Sequence, residues 1–247
     1  MTALTALTRT QAKVFSREPL SVFFGLVFPA LLLFVIGAVF PGSTDPVADF
    51  GGRSLVEVYA PVSIVLGLAT VSFTLLPATL GGDREKGILR RLSTTPAHPR
   101  TLVGAHLIVQ FGVVTIATMA AVALGMVVFG LPFPGSPVWF VVSYALAATC
   151  LLGLGLLIGA LVPTTSAGSA MGMLVYFPLL FFAGVYIPLE VMSEGLRTVS
   201  GYSPSGAAVQ ALSASWAGQV PDASSLIAMA VWALLAGALA TVFFRWD

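Results

Sequence analysis

Between Gly81 and Arg100 the chain reads GGDREKGILRRLSTTPAHPR, with Asp83, Arg84, Glu85, Lys86, Arg90, Arg91 and Arg100 crowded into one segment. Long apolar runs lie on either side of it. Over the whole 247 residues only 9% are charged and 57% are hydrophobic, with a mean hydropathy of +1.00. A soluble domain carries about 25% charged residues, so this chain lacks the polar surface to cover a water-soluble globule. The composition predicts an all-α polytopic membrane protein with the charged segment as one of its loops. A net charge of +1 provides no basic field for nucleic acid. The single cysteine, Cys150, lies within an apolar run, which rules out a disulfide framework or a cysteine metal cluster.

Six apolar runs are long enough to cross a bilayer, and they are expected at 20–40, 56–80, 101–129, 138–162, 167–187 and 223–244. The second carries Ser63, Thr70, Ser72, Thr74 and Thr79, hydroxyls that can bond back to their own helix or line a polar path. Within the loop at 81–100, acids precede bases and Ile88, Leu89 and Leu92 share a face, which predicts a short helix ended by Pro96. Residues 1–18 bear Arg9, Lys13 and Arg17 every four positions. That stripe fits an amphipathic helix in the membrane interface, or a plain basic flank to the first span.

His106 is expected at headgroup level, and Trp139 and Tyr144 as interfacial anchors. Gly155 with Gly159, and Gly168 with Gly172, give spacings that let helices approach closely. Segment 188–222 is polar and predicts short helices, the second opening at Ser203-Pro204 with a cap and then proline in the first turn.

Six spans put both termini on one side. Nine of the eleven Lys and Arg residues fall on that side, and only Arg53 and Arg197 on the other. The positive-inside bias makes the termini and the 81–100 loop cytoplasmic, with 41–55 and 188–222 outside. No phosphate loop, HExxH helix or GxSxG elbow occurs. No charge falls at mid-depth in a span, where ion-coupled transporters keep one. Vectorial work would therefore draw its energy from a soluble partner docking at the charged loop.

Three features carry a family resemblance. Asp83-Arg84-Glu85-Lys86-Gly87-Ile88-Leu89-Arg90-Arg91-Leu92, followed by Thr95-Pro96, is similar to the coupling-helix segment of type-2 ABC exporter permeases. Phe181-Phe182-Ala183-Gly184-Val185-Tyr186-Ile187-Pro188-Leu189-Glu190 with Tyr202-Ser203-Pro204 resembles their signature after span five, with Ser203 where asparagine is common. The basic N-terminal segment resembles their connecting helix. The chain thus looks like a small six-span ABC-2 type permease, of the kind that includes drug-exporting permeases of actinobacteria.

The resemblance implies a single transmembrane domain over residues 1–247 in the inner (plasma) membrane of a bacterium. It implies a second permease chain, identical or paralogous, and separate ATPase subunits that bind ATP and Mg2+; this chain would bind no cofactor or metal and catalyse no reaction. Asp83 through Leu92 would contact the ATPase, with Glu85 in its cleft. Phe23, Phe24, Phe28, Ser63, Thr70, Phe73, Thr74, Tyr176 and Phe177 are the expected pathway residues. The cargo would be a hydrophobic or amphipathic drug, antibiotic or lipid. Export of a polysaccharide or lipid-linked glycan, a non-transporting membrane subunit and an intramembrane enzyme are the other readings.

Overall fold

The computed structural model describes residues 3–88, 91 and 99–243, with only the backbone at Asp49, Pro99 and Arg100. Six helices among them are long and apolar enough to cross a membrane. Spans 1 to 6 are Pro19–Val39, Leu55–Glu85, Thr101–Phe129, Pro137–Leu161, Thr165–Phe182 and Ala223–Phe243. A helix at Ala3–Arg17 precedes them, and Glu194–Tyr202 and Pro204–Trp216 stand between spans 5 and 6. Among the described residues, strand pairing is confined to an isolated bridge between Val47 and Arg53.

Local chemistry accounts for the helix starts. Ser54 and Glu57 form a reciprocal capping box at span 2, with bonds of 2.8 and 3.2 Å. Thr164 Oγ1 accepts the Ala167 N–H at the head of span 5. Ser203 accepts the Gly206 N–H and is followed by Pro204, which opens the second short helix. Gly184, at φ 79°, stops the chain from continuing span 5 to residue 187.

Span 2 is the hub. In its most apolar window 78% of residues are buried, whereas no other span exceeds 44%. Spans 1, 3, 4 and 5 and Pro204–Trp216 all pack around it, and span 6 lies outside, against span 4. Apolar side chains such as Leu174, Leu234 and Val242 point away from the core at 70% exposure or more, which suits lipid rather than water. The N-terminal helix lies along span 3, with Leu7 and Phe15 against the core and Arg9, Lys13 and Arg17 exposed.

Span 2 is uneven along its length. Its turn at Val71–Leu75 is widened to a π-helix, as is Phe23–Val27 in span 1, and each wide turn is followed by a proline at the second position, Pro77 or Pro29. Pro77 has no N–H for the Phe73 carbonyl. Glycines from the neighbouring spans fill the space beside such carbonyls. A side chain at Gly172 would collide with the Phe73 oxygen, one at Gly155 with the Ser72 oxygen, and one at Gly168 with the Pro77 oxygen. Here glycine is a packing requirement, and the spacings 155/159 and 168/172 mark the contact faces of spans 4 and 5 on span 2.

Two expectations need correction. His106 does not face solvent: near the start of span 3 it is enclosed by protein at 3% exposure, with its Nε2 2.8 Å from Asp83 Oδ2. Tyr144 is no interfacial anchor: it is buried, with its hydroxyl 3.1 Å from Thr115 Oγ1 of span 3. In both cases the polar atom finds a partner inside the bundle, so the side chain need not reach water. Four hydroxyls of span 2 turn inward on their own helix, while the Ser72 Oγ is buried without a hydrogen-bond partner among the described residues. Ser63, Thr70, Thr74 and Thr79 donate to Ala60, Leu66, Thr70 and Leu75 carbonyls.

Candidate functional site

Span 2 does not end at Leu80 but runs through Gly81 and Gly82 to Glu85. Nothing breaks the helix there, and the two glycines let it pass close to the turn between spans 4 and 5. A side chain at Gly81 would collide with the Thr164 carbonyl. The last turn then carries Asp83, Arg84 and Glu85, which point about 100° apart around the axis. Each meets a different neighbour.

Asp83 pairs with His106 of span 3. Arg84 Nη1 donates to the carbonyls of Gly159 and Val162, the latter at 2.8 Å, at the C-terminal end of span 4. Those carbonyls have no intrahelical partner, and a cation suits the negative end of the helix dipole. Glu85 Oε2 accepts from Thr165 N at 3.1 Å and Thr165 Oγ1 at 3.0 Å, at the first turn of span 5. There a carboxylate suits the positive end. An arginine and a glutamate adjacent in the chain thus hold the two helix ends that meet at Val162–Thr164.

Beyond this node the chain turns away. Gly87, at φ 65°, allows the left-handed step that ends span 2. Lys86 is exposed, Ile88 packs onto the core, and Arg91 Nη2 donates to the Lys86 carbonyl at 2.8 Å. Leu89, Arg90 and Leu92 of the expected coupling set lie outside the described residues.

The expected pathway residues fall into two groups. Phe23, Phe24 and Phe28 form one aromatic cluster on span 1, with ring centroids 5.3 to 6.5 Å apart. Phe23 and Phe24 are exposed, as is Phe177 on span 5, whose ring lies 5.6 Å from Tyr176. Ser63, Thr70 and Phe73 are buried within the bundle, and Thr70 Oγ1 is 2.9 Å from the Tyr176 hydroxyl. Thr74, Phe28 and Tyr176 are half-buried. The structure does not gather the nine onto one surface.

Charge is confined to the ends of the described spans. Glu57 sits in the first turn of span 2, Asp83, Arg84 and Glu85 in its last turn, and His106 in the second turn of span 3. Among the described residues no group of three or more His, Cys, Asp or Glu is placed to hold a metal ion.

The ABC-2 type transporter family model matches residues 2–216, from the N-terminal helix through Pro204–Trp216. The chain belongs to the ABC-2 type transporter family. It is therefore the multi-pass membrane component of an ABC system, and the ABC ATPase is its partner. A search of curated proteins finds no match. In this ABC-2 chain, sequence reasoning missed three residues of the node: His106 as a partner for Asp83, and Thr164 and Thr165 at the head of span 5. The signal was present in Pro163-Thr164-Thr165, a proline followed by capping residues at a span entrance.

Proposed function

We propose that the chain is the permease subunit of an ATP-driven exporter that moves an amphipathic small molecule, such as a drug, an antibiotic or a lipid, out across a bacterial plasma membrane. The observation that carries this reading is where the chain keeps its polar groups. With Asp, Glu, His, Lys and Arg restricted to span ends among the described residues, the bundle keeps no charged side chain at mid-depth to relay an ion gradient, and the ATPase supplies the energy. ATP and Mg2+ are held on that ATPase.

Two permease chains pair, each docking an ATPase at the loop that follows Glu85. With the termini and that loop in the cytoplasm, the exposed aromatic faces of Phe23 and Phe24 on span 1 and Phe177 on span 5 border the route of the cargo. Aromatic walls suit a molecule with an apolar body and a polar end. Binding differences between the loop and the two states of the ATPase drive the change in the permease.

The test uses cells expressing the chain with its ATPase and a panel of lipophilic dyes and antibiotics. Accumulation of at least one class should fall, and a variant ATPase unable to hydrolyse ATP should abolish the effect. Unchanged accumulation across amphipathic compounds and labelled lipids alike would sink the proposed cargo class.

A further inference from the structure

The two halves of span 2 keep different company. Leu55–Thr70 packs chiefly on spans 1 and 3 and on Pro204–Trp216, whereas Leu76–Glu85 packs chiefly on spans 4 and 5. The wide turn Val71–Leu75 stands between these neighbourhoods. Such turns lack the regular ladder of bonds and are where helices bend. Spans 4 and 5 are fastened to the inner half at several levels. Gly168 lies flush against its backbone at Pro77 and Ala78, Gly155 and Gly172 lie against the wide turn itself at Ser72 and Phe73, and Arg84 and Glu85 hold the facing ends of spans 4 and 5. The signs of those two charges match the helix ends they hold, and exchanging them would set each against a like partial charge.

We propose that Arg84 and Glu85 are positioning residues that clamp spans 4 and 5 to the cytoplasmic half of span 2, so that a push on the coupling loop moves all three as one unit about the Val71–Leu75 turn. This rests on the permease reading above and revises one part of it. Glu85 Oε2 is committed to Thr165 of its own chain. Glu85 and Lys86 are both exposed, so Glu85 stands at the edge of the surface offered to the ATPase with its carboxylate already bonded within the chain.

The clamp can be replaced covalently. A Cβ at Gly82 would lie 4.0 Å from the Thr165 Cβ, within the range of about 3.5–4.5 Å that a disulfide spans. The experiment uses the full complex with its ATPase in lipid nanodiscs. Fluorophores are attached through azide-bearing residues at Val127 of span 3 and Met171 of span 5, both exposed. Energy transfer between them is read with and without ATP and vanadate.

In the unsubstituted chain the transfer efficiency shifts with ATP and vanadate. Glu85→Ala retains the same ratio of bound ATPase but loses the shift. Adding Gly82→Cys and Thr165→Cys restores the shift on oxidation, and reduction removes it again. Glu85→Gln, which keeps a hydrogen-bond acceptor, retains most of the shift and remains informative if the alanine variant does not assemble. Loss of the ATPase from the Glu85→Ala complex, abolition of the shift by Glu85→Gln, or an oxidised triple variant without a shift would overturn the clamp. Absence of any shift in the unsubstituted complex would overturn the permease reading itself, and the clamp with it.

Discussion

Asp83 and His106 form a buried pair 2.8 Å apart, which makes their substitutions unequal. His106→Leu leaves the Asp83 carboxylate buried without its partner, at a cost of about 3–5 kcal/mol. Asp83→Asn preserves an acceptor for the imidazole and costs about 1 kcal/mol. Thermal unfolding in detergent should show the larger drop for His106→Leu; equal midpoints would contradict the pairing. The glycines offer a sharper contrast. Gly172→Ala would drive a methyl into the Phe73 carbonyl, a backbone atom that cannot rotate aside, whereas nothing lies within 4 Å of a side chain at Gly112. Overpacking costs about 1–3 kcal/mol or more, and Gly→Ala in an open helix position gains about 0.5–1 kcal/mol. Gly172→Ala should unfold at lower temperature than the unsubstituted chain and Gly112→Ala at the same or a higher temperature.

At the scale of the elements, the wide turn absorbs one residue within span 2, and the regular helix below it fixes which way its charges face. Removing Ser72 from the wide turn, which holds one residue more than the α-turn it replaces, would leave the facing of Leu76–Glu85 nearly unchanged, whereas removing Ala78 from the α-helix below it rotates the residues that follow by about 100°. Arg84 and Glu85 would then face away from spans 4 and 5. The Ala78 deletion should abolish a monodisperse gel-filtration peak that the Ser72 deletion keeps, and a sharp peak at normal yield from the Ala78 deletion would show that the facing of Arg84 and Glu85 does not hold the bundle. The loops predict sidedness. Lys86 and Ser193 are both exposed, one after span 2 and the other after span 5. With the charged loop in the cytoplasm, an impermeant thiol reagent should label Ser193→Cys in intact cells and Lys86→Cys only after permeabilisation. The opposite pattern would invert the topology.

For the molecule as a whole, association with the ATPase should survive at low ionic strength and weaken as salt rises. Lys86 and Arg91 are exposed in the loop proposed to dock the ATPase, and exposed charges more than about 10 Å apart are screened at 0.1 M salt. Binding insensitive to salt would move the docking surface to an apolar face. Six spans, the all-helical class and the charged loop were legible in the amino-acid order, because lipid demands long apolar helices and expels charge to their ends. The glycine spacings marked the faces of spans 4 and 5 that touch a neighbour, and Ser203-Pro204 marked a helix start. Which neighbour they touched was not legible. Local sequence records that Asp83, Arg84 and Glu85 are charged and that His106, Val162 and Thr165 exist, but their meeting depends on three other helices arriving at one place. The sequence by itself determined how many helices cross, where charge is kept and the family to which the residues point, since each follows from composition and short-range pattern. Only the tertiary structure decided that span 2 is the hub and that the charges at its foot hold other spans, because burial and partner choice are properties of packing between helices distant in the chain.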